Sequence, residues 1–257
     1  MKTVIKDIIR KTLAQLGWEL VRKQPPAPPP VTLSIERLRR VKALGFEPQV
    51  IFDCGAYLGS WTREVSRIWP AATFVMMEPN QDVVGQAREN LKAAGVKGVL
   101  LDVAVGESCQ SGVLNLWYGE NSQSKDIIGQ ASSLLSHVQP SARQMPVQVR
   151  SLDSICAELK LMPDFVKLDL QGGELAALKG ASTLFGRTEL FMIEFGCLDA
   201  YIGRTTPAEL IAMMDRNNYS LYDIVDLLYR PGDRALSSGD FFFVRKDSKL
   251  KGRKGYS

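Results

Sequence analysis

Apolar residues recur at helical spacing near the start of the chain. Ile5, Ile8, Ile9, Leu13 and Leu16 share one side, with Lys2, Lys6, Arg10 and Lys11 elsewhere around the helix. The pattern predicts a basic amphipathic helix over residues 1–23. The run QPPAPPP at 24–30 cannot continue it, because proline removes an amide donor and clashes with the preceding turn, so residues 24–34 read as an extended linker. From Ile35 onward the pattern alternates between helix and strand. Helices are expected at 35–44, 60–68, 83–93, 152–159, 174–184 and 207–217. Strands are expected at 50–52, 73–77, 98–103, 145–150, 165–170, 190–195 and 241–245. This alternation implies an α/β domain over 35–246, with a mainly parallel sheet wound by helices on both faces and a basic tail at 247–257. Residues 119–136, rich in Ser, Gln, Asn and Gly, break the rhythm and read either as a lid facing the substrate or as a mobile insert.

Composition sharpens this picture in three ways. With 45% apolar and 23% charged residues the chain can bury a core, which excludes a wholly disordered or fibrous protein. No window approaches the roughly 20 apolar residues of a membrane span, and the start lacks the apolar stretch of a secretion signal, so a cytoplasmic protein is expected. The net charge of +4 is unevenly spread: residues 24–244 carry 20 basic against 25 acidic side chains, so the body is no surface for nucleic acid. The four cysteines, Cys54, Cys109, Cys156 and Cys197, have neither zinc-site nor disulfide-framework spacing. No metal site is expected.

In open parallel sheets ligands bind beyond the carboxyl ends of the strands. The first strand runs into Asp53-Cys54-Gly55-Ala56-Tyr57-Leu58-Gly59, where Gly55 and Gly59 let the backbone approach a ligand and Asp53 supplies an acceptor. The second strand ends in Glu78-Pro79-Asn80, 25 residues beyond Asp53, the place from which a carboxylate accepts both ribose hydroxyls of an adenosine ligand. The third ends at Asp102-Val103-Ala104, where Asp102 can meet an adenine amino group and Val103 its ring. The G-x-G-x-x-G turn of a pyrophosphate site is absent, and a carboxylate at the turn suits a sulfonium or ammonium better than phosphate. That points to S-adenosylmethionine as cofactor.

Seven blocks in order resemble one family, the FkbM-type methyltransferases of the class I S-adenosylmethionine-dependent enzymes. They are VIFDCGAYLGSWT (50–62), FVMMEPN (74–80), DVAVGE (102–107), ASSLL (131–135), VRSLDSI (149–155), DFVKLDLQGGELAALKGA (164–181) and LFMIEFG (190–196). The resemblance implies a Rossmann-like, doubly wound α/β fold with a seven-stranded sheet. It also implies that Asp53, Gly55 and Glu78 hold the cofactor; Ala56, Tyr57, Gly59, Pro79, Asp102, Val103 and Asp169 are the further candidates for cofactor contact. Two positions depart from the family pattern: Tyr57 replaces a usual Asn, and Gln171 replaces a usual Glu.

The implied chemistry is O-methylation of a hydroxyl on a sugar, polyketide or related small metabolite, in which alignment supplies most of the acceleration and a base removes the proton. Asp169 is the first candidate for that base or for orienting the acceptor, followed by Glu174, Glu194 and the single histidine, His137. Lys167 and Asp169, two apart on one strand, share a face and equally read as a structural ion pair. The competing reading is a methyltransferase-fold scaffold or binding protein whose pocket is impaired at Tyr57 and Gln171. The basic helix reads either as a cover for its own domain, a partner-docking element or a peripheral membrane anchor. The anchor reading predicts that removal of residues 1–30 abolishes partitioning onto anionic lipid vesicles in a flotation assay; unchanged partitioning assigns the helix elsewhere.

Overall fold

A computed structural model describes residues 33–116, 132–136, 143–198 and 201–252. The expected N-terminal helix, most of the linker, residues 119–131, His137 and the end of the tail lie outside the described residues.

The described chain runs α1 (Leu33–Ala43), β1 (Val50–Cys54), α2 (Ser60–Ile68), β2 (Thr73–Met77), α3 (Gln81–Ala93), β3 (Gly98–Leu101), β4 (Ala104–Val105) and β5 (Gln110–Leu116). It continues with β6 (Arg143–Arg150), α4 (Leu152–Leu159), β7 (Phe165–Leu168), α5 (Glu174–Lys179), β8 (Leu190–Gly196), α6 (Pro207–Arg216), β9 (Tyr219–Tyr229) and β10 (Leu236–Arg245). Seven strands form one sheet in the order β3-β2-β1-β7-β8-β10-β9. Pairing is parallel from β3 through β8, and only β10 runs against its neighbours. The Rossmann-like, doubly wound α/β class is therefore the observed one, and strand order reverses between β1 and β7. No helix among the described residues is long and apolar enough to cross a membrane.

The central strands are buried on both faces, which explains their unbroken apolar runs. Phe52, Val166, Leu168, Phe191 and Ile193 pack on one face beneath Leu152 and Ile155 of α4, Leu178 of α5 and Leu210 of α6. Ile51, Phe74, Phe165, Met192 and Phe242 pack on the other beneath Leu38 of α1 and Val65 and Ile68 of α2. Period-two geometry assigns the rare polar residues of these strands to the second face: Asp53, Lys167, Glu194 and Asp240 all share the parity of Ile51, Phe165, Met192 and Phe242. Register then sets Asp53 beside Lys167 and Glu194 beside Asp240.

Three departures from the sequence expectation have physical causes. The segment at 145–150 is not in the main sheet. It belongs to β6, which pairs with β4 and β5 in a separate three-stranded sheet. Its alternation of buried Met145, Val147 and Val149 with exposed residues is that of a strand covered on one side only. The seventh strand of the main sheet is instead β9, an edge strand whose alternation is broken by bulges against β10 and whose Leu221, Ile224 and Leu228 are exposed. Helix α1 starts at Leu33, two residues early, because the Ser34 amide and hydroxyl both bond the Asp226 carboxylate, 192 positions away. No local signal carries such a contact.

The turn after β1 packs tightly on the end of β7: a Cβ at Gly55 (φ +85°) would lie 2.0 Å from the Asp169 carbonyl oxygen, whereas one at Gly45 (φ +93°) would meet nothing within 4 Å. Both glycines carry the left-handed backbone, so their comparison isolates crowding. Gly45→Ala is expected to cost about 1 kcal/mol in urea unfolding and Gly55→Ala at least about 2 kcal/mol more.

Candidate active site

The carboxyl ends of β1, β2 and β7 open onto a cavity of about 290 Å³. Its polar wall is Gly55, Tyr57, Glu78, Asp169 and Gln171; its apolar wall includes Met77, Val103, Val105, Leu114 and Leu134. The small sheet and residues 132–134 close it, with Ser133 bridged to Asn115 of β5 in both backbone directions. The part of the 119–136 insert that is described thus faces the cavity.

Glu78 is buried at 4% exposure. Its Oε2 accepts the Tyr57 amide at 2.8 Å and its Oε1 the Asn80 amide at 2.8 Å. Tyr57 adopts the left-handed backbone (φ +48°) that turns this amide toward the acid. Withdrawal from water raises the Glu78 carboxyl to about 7, although the two amides oppose the shift. Each oxygen keeps lone pairs beyond the one bond it accepts. Glu78 is therefore an anchored acceptor with capacity to spare on the cavity wall.

Asp53 has a different place. Its side chain is fully buried and does not line the cavity. Oδ2 accepts the Thr62 hydroxyl at 2.6 Å and Oδ1 faces Lys167 Nζ at 3.2 Å. Lys167 also reaches Asp169 Oδ2 at 3.2 Å and lies 5.5 Å from the Trp61 ring centroid. Burial alone would pull the Lys167 pKa down, but Asp169 and Asp53 more than reverse this and keep the ammonium charged. Asp53 thus positions the site through Lys167 without facing the cavity itself.

Other expected residues divide similarly. Gly55, Tyr57, Pro79, Val103 and Asp169 line the cavity. Ala56 is buried beside it, its amide bonded to the Met77 carbonyl. Gly59 caps the start of α2 and packs on Leu91, which a Cβ would meet at 2.9 Å, and it does not line the cavity. Asp102 is exposed and paired with Arg88 at 2.7 Å, because the chain leaves the main sheet at Leu101. The wall on this side is apolar: Val103, as the strand end suggests, is joined by Val105 of β4 and Leu114 of β5, which strand-end reading missed because they come from the second sheet.

At the opposite end, Glu174 is buried and its Oε1 accepts the amides of Leu170 (2.9 Å) and Gly172 (3.1 Å). Burial raises its carboxyl to about 7 against the pull of those amides. It shapes the turn after β7. Glu194 lies beyond the cavity lining, and its Oε2 accepts the Gln171 side-chain amide at 2.9 Å. Withdrawal from water, then Asp169, Glu174 and Asp240, raise Glu194 well above the usual carboxylate range. Asp240, which no sequence signal singled out, is also raised to about 7 by burial and by Asp169.

Residues 53–221 match the family described as Methyltransferase FkbM domain, well over half of the chain. The chain belongs to the FkbM methyltransferase family. No curated protein sequence matches it. Among solved structures it is similar to methyltransferase FkbM from Methylobacillus flagellatus KT, at 19% identity and a TM-score of 0.47, over 75% of this chain and 43% of that one. The chain thus spans less than half of that protein. It is also similar to magnesium protoporphyrin IX methyltransferase from Synechocystis PCC 6803, solved with bound SAM, at 13% identity and a TM-score of 0.48, over 95% and 96% of the two chains. The family assignment rests on the match over 53–221 and not on these likenesses.

The site yields a stability prediction. Glu78 ionises near 4.5 in the unfolded chain and near 7 in the folded one, so across that window the folded state holds a proton that the unfolded state has released. Stability from this group therefore falls as pH rises from 4.5 to 7. Glu78→Gln removes the effect while Glu174 and Asp240 contribute equally to both proteins. The stability of the variant minus that of the native chain, from urea unfolding, should grow by up to about 3 kcal/mol between pH 4.5 and 8, whatever fixed cost the substitution adds.

Proposed function

We propose that this chain is an S-adenosylmethionine-dependent methyltransferase acting on a hydroxyl of a sugar or related small metabolite. The observation that carries the reading is the Glu78 carboxylate, held by two backbone amides on the wall of a cavity that pairs an apolar slot with a glycine turn. Glu78 would accept the ribose hydroxyls, Val103 and Val105 would cover the adenine faces, and Gly55 would let the methionine part approach the backbone. S-adenosylmethionine would supply a methyl carbon on a sulfonium, to which the acceptor oxygen would bond in line as the C–S electrons pass to sulfur and leave a neutral thioether.

The residues then divide the work. Asp169 is a poor base, because Oδ2 is paired with Lys167 and Oδ1 accepts the Gln171 amide at 3.1 Å. Its fixed negative charge suits the sulfonium end. Glu194 has one oxygen engaged by Gln171 and a proton affinity raised by burial and by its acidic neighbours, and it stands behind the cavity lining. Asp169 is thus read as an orienting group at the acceptor, with Glu194 set behind it through Gln171. The sugar-type hydroxyl acceptor is the class the sequence resemblance implies, and the carboxylates at the acceptor end are suited to accept hydrogen bonds from hydroxyls. The acidic body disfavours a polyanionic acceptor.

The scaffold reading and the enzyme reading part at cofactor binding. Calorimetric titration with S-adenosylmethionine should show saturable heat with Kd below about 100 μM, and Glu78→Ala should weaken it at least about tenfold. No heat at near-millimolar cofactor would overturn the enzyme reading.

A further inference from the structure

We propose that Gln171 is a positioning residue of the acceptor end: its amide ties Asp169, on the cavity wall, to Glu194 behind it, and so sets the charge state of Glu194. The inference rests on the methyltransferase reading above and concerns a residue which that reading leaves without a role.

The geometry is specific. Gln171 Nε2 donates to Glu194 Oε2 at 2.9 Å and to Asp169 Oδ1 at 3.1 Å, one amide nitrogen spending both hydrogens on carboxylates from adjacent strand ends. Its Oε1 accepts the Tyr201 hydroxyl at 3.3 Å. The opposite amide orientation would set an oxygen against two carboxylates, so the network fixes the flip. Gln171 holds a left-handed backbone (φ +52°), which costs a non-glycine residue about 1 kcal/mol. Its backbone carbonyl accepts the Ser133 hydroxyl at 2.9 Å, so the segment closing the cavity rests on this same residue.

Charge explains why an amide stands here. Glu194 already faces Asp169 from β7, Glu174 from α5 and Asp240 from β10, with Arg204 as the opposing charge and Tyr201 beside it. Lys167 offsets Asp169 and Asp240 from the β7 side. A carboxylate at 171 would add a further negative charge and remove the donor that Gln171 places between Asp169 and Glu194. With the amide in place, both oxygens of Asp169 are engaged, one by Lys167 and one by Gln171. Glu194 keeps Oε1 without a hydrogen bond among the described residues. Where the resemblance expects a Glu, this chain holds a double donor.

The test is a carboxyl-¹³C NMR titration of the full chain in native, Gln171→Met and Gln171→Glu forms, with the Glu194 signal assigned by its loss in Glu194→Gln. A residue that only packs would lower the thermal midpoint and leave the Glu194 titration where it was. The proposal expects the Glu194 midpoint to rise by at least about 0.5 pH unit in Gln171→Met and at least about 1 unit in Gln171→Glu. If Gln171→Glu does not fold, the uncharged Met variant decides. A midpoint within about 0.2 unit of native in the folded variants overturns the role of Gln171. S-adenosylmethionine is titrated calorimetrically into the native sample alongside. Heat with an unmoved midpoint sinks only the Gln171 assignment, whereas no heat sinks the methyltransferase reading and the assignment with it.

Discussion

A single buried ammonium, Lys167, organises this site. It lies between Asp53 of β1 and Asp169 at the end of β7, 3.2 Å from each, across the line where the strand order reverses. An unpaired ammonium at that depth would be untenable, and so would the fully buried Asp53 carboxylate without the lysine. The three side chains consequently lock the two strand ends that form the mouth of the cavity. Thr62 and Trp61 of α2 complete the surround, one bonding Asp53 and the other presenting its ring to the ammonium. Because Asp169 is fixed, Gln171 has a fixed partner, and through Gln171 so has Glu194. Polar order runs from the interior of the sheet to the acceptor end without a break.

This arrangement separates holding from reacting. Glu78, just after β2, is fixed by the backbone amides of Tyr57 and Asn80 and makes no hydrogen bond to the Lys167 cluster, so the two ends of a bound nucleoside would meet groups of different origin. The apolar slot between them is built by a second, smaller sheet, which also carries the strand against which Ser133 is bridged. Closure of the cavity over 132–134 is therefore coupled to both the slot and the Gln171 turn.

Much of this was legible in the chain. Helices α2 and α4 and strand β2 fall where periodicity placed them, and the strand-end reading found Gly55, Glu78 and Asp169 on the cavity wall. What failed did so for nonlocal reasons. Asp102 was read as a ligand contact because it follows a strand, yet the chain leaves the sheet one residue earlier and the side chain turns to Arg88. Asp53 was read as a ligand acceptor, but its partner Lys167 lies 114 residues away and takes the carboxylate inward. Strand β9 escaped notice because an exposed, bulged edge carries no clean period. Gln171 was visible only as a departure from a family pattern, and its function as a double donor depends on two carboxylates that folding brings to it.

The account stands or falls on where an adenosyl ligand sits. A crystal structure of the chain grown with S-adenosylhomocysteine tests it most directly. The ribose hydroxyls should lie within about 2.5–3.2 Å of the Glu78 carboxylate, with the purine between Val103 and Val105 and the sulfur over the Gly55 and Asp169 side of the cavity. A ligand bound elsewhere on the molecule, or one whose ribose leaves Glu78 untouched, would contradict it.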